Sequence, residues 1–483
     1  MSRPKKTVTA EAPKKRGRKP KFAVAAAIAP IAAAVKPVLA LKKKGEPLET
    51  LKGFRDILPL DAAYWRFVKD KVQKIADDYG FRMIETPILE FSALFKRSLG
   101  KHTDVVEKEM FEFEDKGGDA VALRPEGTAG IARAYINHGM QNLPQPLKVF
   151  YEEAMFRYEN PQSGRLREHH QAGFEILGSA SSAADAQLIL IGRNLLNDLG
   201  VTFNLQINSI GCPGCREAYK NILMEHYRPL RRQMCENCKH RLLKNPLRLL
   251  DCKEEACQKL RQGAPHIVDY LDEECKKHFM QVLEFLDEIG VSYDMNPFLV
   301  RGLDYYTRTV FEFWPTGDTH AQSSLINGGR YDNLIEELGG LPTPAVGFGA
   351  GVERLISRIK EEGVVVPPAS RPDIFVAHLG LEARKRGMLL FEDLRKQGFS
   401  LAENFAKESL KQQLEAANKM RAKFTLILGQ KEMQEKTILL RDMDAGVQET
   451  IDQKKISVEM RRRLDTMNLA EKERMTVAPE VQA

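Results

Sequence analysis

Long apolar runs are missing from this 483-residue chain, and cysteine is confined to one part of it. No hydrophobic stretch reaches the ~20 residues that a membrane-spanning helix needs, so we expect no membrane association. The apolar segment at 23–35 is broken by Pro30 and carries no evident cleavage pattern, which argues against a secretory signal. All seven cysteines lie between Cys212 and Cys275, so no disulfide can stabilise the rest of the chain.

Acidic residues and aromatic residues are both scarce at the N-terminus. Residues 1–50 contain thirteen Lys or Arg but only three Glu, a net charge of +10 against +7 for the whole chain. Residues 51–483 therefore carry a net charge of −3, and global charge is poor evidence for nucleic-acid binding by the folded part. Phe22 is the only aromatic residue before residue 50, so we predict a disordered basic tail over residues 1–48.

The most informative segment spans residues 299–312 and reads LVRGLDYYTRTVFE. It has the pattern of a buried strand but also carries Arg301, Tyr305 and Tyr306. A buried charge must be paired or bound to something. Tyrosines can hydrogen-bond a small polar ligand, and arginine can neutralise a carboxylate or phosphate. The alternative is a strand stabilised by an internal salt bridge.

Two further segments combine charge with turn residues. Residues 123–130 read LRPEGTAG, where Glu126 could hold an ammonium group or could simply favour the start of a helix. Residues 156–175 read FRYENPQSGRLREHHQAGFE and predict two strands joined by a loop that contains Pro, Ser and Gly. Arg157 suits phosphate binding because its planar guanidinium stays charged and binds two oxygens at once.

Two other parts of the sequence have patterns that predict secondary structure. The segments 327–332 and 345–355 predict a strand that enters a helix, although a tight turn alone would explain their glycines. Apolar residues from Tyr64 to Ile75 recur at helical spacing, Gly80 ends that helix, and residues 81–87 read as a strand that ends at proline.

In this order, the segments resemble motifs 1, 2 and 3 of the class II aminoacyl-tRNA synthetases, and residues 299–312 resemble the histidine-binding signature of the histidyl-tRNA synthetases of bacterial type. The resemblance covers about residues 51–470. It implies an α+β catalytic domain, an antiparallel sheet flanked by helices, with a helical insertion and a C-terminal α/β anticodon-binding domain. It also implies a homodimer formed through motif 1.

The resemblance further implies the reaction. The carboxylate of L-histidine attacks the α-phosphorus of ATP, giving histidyl-adenylate and pyrophosphate, and histidine then passes to the 3′ end of tRNA(His) in the cytoplasm. The nucleophile is already charged, so alignment and charge stabilisation suffice and no general base is needed. Mg²⁺ should accompany the β- and γ-phosphates. Polar recognition of the imidazole makes an editing domain unnecessary.

The family's residue roles carry over to matching positions. Arg301 and Arg157 would be the catalytic cations. The implied histidine-binding residues are Glu126, Gly127, Thr128, Gln171, Glu175, Arg301, Tyr305 and Tyr306. The implied ATP-binding residues are Arg157, Glu159, His169 and Arg354. Arg165 and Arg167 would approach the tRNA acceptor end. His169 departs from the family, which usually has Phe there, and it offers less apolar area for stacking on adenine.

The predicted boundaries follow from these assignments. The catalytic domain spans 49–367, with the insertion at 212–293, and a Pro-containing linker precedes the anticodon-binding domain at 370–465 and a tail at 466–483. Basic residues of the insertion could clamp the tRNA acceptor arm or could form a solvated helix face. These residues are Arg228, Arg231, Arg232, Lys239, Arg241 and Lys244.

The cysteines suggest a metal. Cys212, Cys215, Cys235 and Cys238 have the paired C-x2-C spacing of one structural Zn²⁺ site, which would leave three cysteines over. Clustering in an intracellular-looking enzyme favours a metal over disulfides. Reduced buried cysteines are the alternative.

Two other functions would use the same fold. A histidine-sensing regulatory subunit of ATP phosphoribosyltransferase typically lacks the C-terminal domain and the full set of motif arginines, and both are present here. A nucleic-acid scaffold with a degenerate enzyme core conflicts with the intact Arg157, Arg301 and Arg354.

The function of the basic tail has several possible interpretations. Residues 16–20 could enter an A·T-rich minor groove, the tail could contact RNA phosphates, or it could be an organellar presequence. We favour a solvated tail that accelerates tRNA association by long-range attraction.

Deleting residues 1–48 should leave histidine activation unchanged and should slow tRNA association at low salt. The difference should vanish near ~0.3 M salt, where charges are screened over short distances. Stopped-flow tRNA binding across a salt series, with pyrophosphate exchange in parallel, measures both effects. Lost adenylation would show that the tail belongs to the fold, and unchanged tRNA kinetics would favour targeting or DNA contact.

Overall fold

A computed structural model describes residues 48–100, 103–160, 165–317, 324–367 and 371–476. The predicted basic tail thus lies outside the described residues except for Leu48, and so do part of the loop between residues 156 and 175 and part of the linker near residue 368. The elements below belong to the compact unit that begins at Lys52.

The largest sheet has eight strands and is mostly antiparallel. Across the sheet these are β1 (Arg82–Met83), β5 (Leu147–Phe156), β6 (Glu168–Leu177), β11 (Ala345–Gly351), β10 (Ile326–Arg330), β9 (Thr307–Pro315), β7 (Phe203–Ser209) and β8 (Asp294–Met295). Only the outer pairs, β1 with β5 and β7 with β8, are parallel. The predicted antiparallel α+β arrangement is confirmed.

Helices α1 (Ala62–Tyr79), α4 (Ser182–Asp198) and α10 (Val352–Glu361) share one apolar core with this sheet. Trp65, Val68, Val72 and Ile75 of α1 are buried at the spacing of one helix face. The helix ends at Gly80, which adopts φ +72°, and this left-handed conformation costs glycine little because it has no Cβ. The chain then enters β1, which occupies Arg82 and Met83 of the strand predicted over residues 81–87.

A second, smaller sheet ends at Leu123, where the segment 123–130 begins. It has three strands in the order β2 (Leu89–Phe91), β4 (Ala120–Leu123) and β3 (Glu112–Glu114). Helices α2 (Ser92–Ser98), α3 (Thr128–Asn137) and α9 (Leu334–Glu337) pack beside it in a second apolar core. The core is shared with the insertion, so the two parts bury surface together rather than separately.

The predicted helical insertion is helical. It contains α5 (Pro213–Tyr227), α6 (Glu236–Lys244), α7 (Glu255–Arg261) and α8 (Glu273–Glu288), with short 3-10 turns between them. Cys212, Cys235 and Asp272 lie immediately before α5, α6 and α8, and each side chain accepts a backbone N–H from the following first turn. These caps satisfy donors that a helix start otherwise leaves unpaired.

The C-terminal part is an α/β unit around a five-stranded sheet. Its strands, in sheet order, are β13 (Leu401–Glu403), β12 (Ile374–His378), β14 (Phe424–Leu428), β15 (Thr437–Asp442) and β16 (Gln448–Asp452). Its helices are α11 (Leu381–Lys396), α12 (Leu410–Lys419), α13 (Gln430–Glu435) and α14 (Ile456–Thr476). Helix α14 continues past the predicted boundary at residue 465.

Two local predictions differ from the structure. The predicted strand over 299–312 begins only at Thr307, because the Asn208 side chain and the backbone of Leu99 bind the preceding segment, at Leu299 and Asp304. Arg157 lies one residue beyond β5 rather than on it, although its N–H still donates to the Arg167 carbonyl over 2.8 Å.

A buried ion-pair network fixes β10 against the helices. Arg330 is fully buried and donates to Asp185 of α4 over 3.0 Å from Nε, and His278 of α8 lies 2.9 Å from the same carboxylate. Burial opposes ionisation of Asp185, but Arg330 and His278 hold its pKa below the usual value. A paired and hydrogen-bonded carboxylate of this kind keeps β10 in one register with its neighbours.

Among the described residues, no helix is both long and apolar enough to cross a membrane.

Candidate functional site

The centre of the site is the buried carboxyl group of Glu175 on β6, which is 1% exposed. Thr128 donates its hydroxyl to one carboxyl oxygen over 2.8 Å, and Tyr331 donates to the other over 2.5 Å. The net effect on Glu175 is a pKa raised to about 8. Burial is the main cause, the two hydroxyl donors oppose it, and nearby Glu126 reinforces it. At neutral pH the free site therefore holds a protonated Glu175.

A second buried carboxylate, Glu126, lies at the start of α3. The backbone N–H groups of Thr128 and Ala129 each donate to it over 2.8 Å. Burial nevertheless raises its pKa above the usual value, against these bonds. The Tyr305 hydroxyl lies 3.4 Å from the same carboxylate. Two acidic groups thus share one water-poor space, which is suited to a ligand that brings positive charge and N–H donors.

Aromatic rings and glycines shape this space. The ring centroid of Tyr305 is 4.6 Å from that of Tyr306 and 5.7 Å from that of Tyr331. A Cβ on Gly127 would lie 2.6 Å from the Tyr151 ring, so residue 127 must be small. Gly127 therefore contributes to the site by allowing the Tyr151 ring to pack closely against the backbone.

Arg301 lies at the edge of the tyrosine cluster. Its guanidinium bonds the Glu312 carboxylate, donates to the Asn327 side chain over 2.9 Å, and sits 5.2 Å from the Tyr306 ring centroid. Burial disfavours the charged form, but Glu312 together with Tyr306 and Tyr305 outweighs this and raises the pKa of Arg301. Its Nε is buried with no hydrogen-bond partner among the described residues. The internal salt bridge considered for this segment is therefore present, between one end of the Arg301 guanidinium and Glu312. The Nε–H of Arg301 remains unpaired within the described part of the chain.

The predicted ATP-binding residues surround the open end of β6. Arg157 donates from Nε to the Pro125 carbonyl over 2.8 Å, and Arg354 donates to the Ser324 carbonyl over 3.0 Å. Burial and the charges of Arg157 and Arg354 lower the pKa of His169 to about 3. His169 is therefore a neutral aromatic ring at physiological pH.

Positive charge is concentrated at this end of the site. Burial and the charges of Arg165 and Arg157 together lower the pKa of Arg354 to about 10, against the attraction of Glu159. Arginines that repel one another in a partly buried site favour the binding of a polyanion. Gln171 lies on β6, two residues after His169, and faces Gly351 of β11 across the sheet.

The two predicted tRNA-binding arginines are held by nearby groups. Arg167 stacks 3.7 Å from the Tyr158 ring centroid, and its backbone N–H donates to the Gly53 carbonyl over 2.8 Å. Arg165 forms a 3.4 Å ion pair with Glu159. The loop arginines are therefore oriented by residues of the same hairpin and of the segment before α1.

The predicted four-cysteine set is wrong as a single site. Cys235 and Cys238 group with Cys252 and Cys257, whereas Cys212 and Cys215 group with Asp272 and Cys275. The reason is topological: each C-x2-C pair starts a different helix and meets a later segment of the insertion. No spacing rule applied to two C-x2-C pairs could choose between these partners.

Three residues of the site escaped the sequence argument. Tyr331 binds Glu175, Tyr151 packs against Gly127, and Glu312 pairs with Arg301. Tyr331 and Glu312 lie inside the segments that the sequence singled out, so their polar groups on strand-like patterns were the available signal. Tyr151 lies on β5, and nothing in its surroundings in the sequence points to the site.

Comparisons with known proteins match most of the chain. Residues 53–355 match the model of the family described as histidyl-tRNA synthetase, and residues 364–463 match that of an anticodon binding domain. A histidine–tRNA ligase of Dehalococcoides mccartyi is 45% identical over 414 residues, which are 86% of this chain and 99% of the relative. One from Clostridium novyi is 42% identical over 402 residues, 83% of this chain and 95% of the relative.

Solved structures give the same comparison in three dimensions. The apo histidyl-tRNA synthetase of S. aureus superposes with a TM-score of 0.73 at 32% identity, covering 86% of this chain and all of that one. A Bacillus halodurans chain titled ATP phosphoribosyltransferase regulatory subunit/histidyl-tRNA synthetase reaches 0.56 at 22% identity, covering 79% and 98% of the two chains. The second likeness shows the fold alone.

Glu175→Gln should change how stability depends on pH. Between the ordinary pKa of 4.5 and the raised pKa of about 8, the folded protein holds a proton that the unfolded chain releases, so the free energy of unfolding falls as pH rises through this window. The variant cannot titrate at residue 175, and its free energy of unfolding should fall less. Denaturant unfolding at several pH values, with exposed Glu288→Gln as control, measures this. Equal slopes in wild type and Glu175→Gln would contradict it.

Proposed function

The chain belongs to the histidyl-tRNA synthetase family, and from that premise we propose how its residues divide the work of a histidine–tRNA ligase. The enzyme activates L-histidine with ATP and transfers it to tRNA(His). The observation that carries the assignment of roles is the pocket of two buried carboxyl groups, Glu126 and Glu175, walled by tyrosines and bordered by Arg301.

Histidine fits the charges of this pocket. Its ammonium group supplies the positive charge that Glu126 lacks, which would restore the ordinary ionisation of that carboxylate. Its imidazole offers a nitrogen donor or acceptor to Glu175, whose proton can adapt to either. A competing amino acid with an apolar side chain would still bring an ammonium group to Glu126 but no ring nitrogen to the buried Glu175, so polar recognition gives strong discrimination. Thr128, Gln171, Tyr305 and Tyr306 complete the proposed contacts.

Arg301 and Arg157 are proposed as the cations that act on the reacting groups. The carboxylate of histidine attacks the α-phosphorus, and negative charge accumulates on the phosphoryl oxygens in the transition state. Fixed guanidinium groups stabilise that charge without reorganisation. The free Nε–H of Arg301 supports this role because the other end of the guanidinium is anchored by Glu312 and Asn327.

ATP is proposed to lie across the end of β6. His169 and Arg354 would stack on the adenine from its two sides, and Glu159 would read its polar edge. The low pKa of His169 supports stacking, since a neutral ring loses no hydration of a charge on binding. Thus the substitution of His for the usual Phe changes the apolar contact area rather than the charge of the site.

Mg²⁺ is proposed to arrive with the phosphates. The described carboxyl groups nearest the reacting centre are already engaged, Glu312 by Arg301 and Glu175 by two hydroxyls. Mg²⁺ commonly keeps several waters and takes substrate phosphates with only one or two protein carboxylates, so these residues fit it as an ion carried by ATP. When bound, it would neutralise charge on the β- and γ-phosphates.

The tRNA is proposed to contact two regions. Arg165 and Arg167 lie in the motif 2 hairpin at the ATP end of the site, where the acceptor end must reach the adenylate. The C-terminal unit matches the anticodon-binding domain model over 364–463. We therefore keep the proposed domain divisions at 49–367 and 370–465, with the insertion at 212–293. Because histidine charging serves translation, we propose a cytoplasmic location.

Arg301→Ala should lower adenylation by at least ~10²-fold while the fold is kept, as expected for lost stabilisation of transition-state charge. Histidine-dependent ATP–pyrophosphate exchange measures it, with the exposed Arg395→Ala as matched control.

The change also leaves Glu312 unpaired. The double variant Arg301→Met/Glu312→Gln removes that structural penalty, and activity should remain low. Exchange within about tenfold of wild type in either variant would refute the role.

We also propose a homodimer through motif 1. The chain at β1 and β2 exposes Met83, Ile88 and Phe91, at 61%, 48% and 61%. Apolar side chains gathered in this way are typical of a protein interface.

Phe91→Glu should therefore shift the protein from dimer to monomer, because the interface would bury an unpaired charge. Light scattering over a range of concentrations gives the mass. Leu381→Glu, which changes an equally exposed apolar residue in the C-terminal unit, should leave it unchanged. An active wild-type protein of one chain mass would contradict the dimer.

A further inference from the structure

We propose that the insertion holds two separate Zn²⁺ ions in two preformed sites. The first site consists of Cys235, Cys238, Cys252 and Cys257, and the second consists of Cys212, Cys215, Asp272 and Cys275. Together they use every cysteine of the chain and one carboxylate.

The spacing of the sulfur atoms suits a single ion in the first site. All four lie within 4.8 Å of one another, and Cys235 Sγ is 3.8 Å from Cys252 Sγ. Four thiolates at about 2.3 Å from a tetrahedral zinc stand about 3.8 Å apart. An iron–sulfur cluster would spread its four thiolates over several irons, farther apart than this. The ligands come from two chain segments, 235–238 and 252–257, which the fold has already brought together.

Backbone N–H groups already point at these sulfurs. The N–H of Cys238 lies 3.4 Å from the Cys235 sulfur, and the N–H of Cys235 lies 3.3 Å from the Cys257 sulfur. Such donors stabilise thiolate charge, and so does the N-terminus of α6, where the first pair lies. Neutral, reduced cysteines would not need this arrangement.

The second site repeats the design with one carboxylate. Cys212 Sγ and Cys215 Sγ are 3.6 Å apart, and Asp272 Oδ2 lies 3.2 and 3.1 Å from them. With zinc bonds of about 2.3 Å to sulfur and 2.1 Å to oxygen, tetrahedral geometry puts two sulfurs about 3.8 Å apart and a sulfur and an oxygen about 3.6 Å apart, so Asp272 would move back by about half an ångström to admit the ion. Cys275 supplies the fourth ligand.

The two sites share a backbone pattern. In each, a C-x2-C pair begins a helix, and the N–H of its first cysteine donates over 3.3 Å to the sulfur of the last ligand, Cys275 or Cys257. In each, the second pair of ligands follows later in the chain. A disulfide would engage two sulfurs in either group and would not account for Asp272 Oδ2, which contacts both Cys212 and Cys215 while Oδ1 caps α8.

The second site has a consequence for the catalytic part. It joins the start of α5 to the start of α8, which are the two ends of the insertion. One residue after Cys215, Arg216 donates to the carbonyls of Asp304 and Tyr306, 3.1 and 2.5 Å away. If the proposed histidine-binding role of Tyr306 holds, losing the second ion should raise KM for histidine more than losing the first.

Zinc content of the full chain, purified without chelator, tests the proposal directly and does not depend on activity. Elemental analysis should find about two zinc ions per chain. Cys252→Ser and Cys275→Ser should each leave about one, and the double variant should leave none. Asp272→Asn should weaken only the second site, and the neighbouring Asp269→Asn is its matched control. A single site made of the two C-x2-C pairs would instead leave zinc unchanged in Cys252→Ser.

Wild-type protein gives an answer even if a variant does not fold. Cobalt substituted for zinc should show the intense visible bands of tetrahedral thiolate sites in two separable titration steps. Alkylation followed by peptide mapping should find all seven cysteines protected until a chelator is added. One zinc or none in the wild type, or seven thiols that react without chelator, would overturn the proposal.

Discussion

The burial of Glu175 constrains most of the catalytic site. A carboxyl group that is 1% exposed is tolerated only when its oxygens are hydrogen-bonded. Here the hydroxyl groups of Thr128 and Tyr331 bind one oxygen each. The cross-strand neighbour of Glu175 on β11 is Gly347, where a Cβ would lie 1.5 Å from the Glu175 carboxyl oxygen. The glycine-rich motif 3 strand thus provides the space that the buried Glu175 carboxyl group requires.

The rigidity of the sheet supports that arrangement. Tyr331 follows Arg330 directly, and Arg330 is bound by the buried Asp185 of α4. Since α8 reaches the same carboxylate through His278, the position of the Tyr331 hydroxyl is tied to two helices behind the sheet. Preorganised groups of this kind stabilise developing charge without paying for reorganisation during the reaction. The electrostatics of the pocket therefore depend on the Arg330–Asp185–His278 network as well as on the residues that line it.

The insertion and the signature segment depend on each other. Leu299 is held by Asn208, and Asp304 and Tyr306 are held by Arg216, so the signature segment takes its shape from β7 and from the first helix of the insertion. This explains why the segment is not a regular strand before Thr307 although its residue pattern predicts one. Its backbone carbonyls bond to side chains instead of to a neighbouring strand.

The sequence alone determined the family, the reaction and the order of the main elements. Residue types such as the Arg301–Tyr306 run, the Glu126–Thr128 turn and the apolar face of α1 carry that information locally, through charge, hydrogen-bonding capacity and periodicity. Only the tertiary structure decided which groups meet. Tyr151 reaches Gly127 from β5, Arg301 bonds Glu312 and Asn327 while its buried Nε stays unpaired among the described residues, and the C-x2-C pairs meet partners up to 63 residues away. These contacts depend on strand register and helix packing, which no spacing along the chain specifies, because a polar side chain is satisfied by whichever group the fold brings within reach.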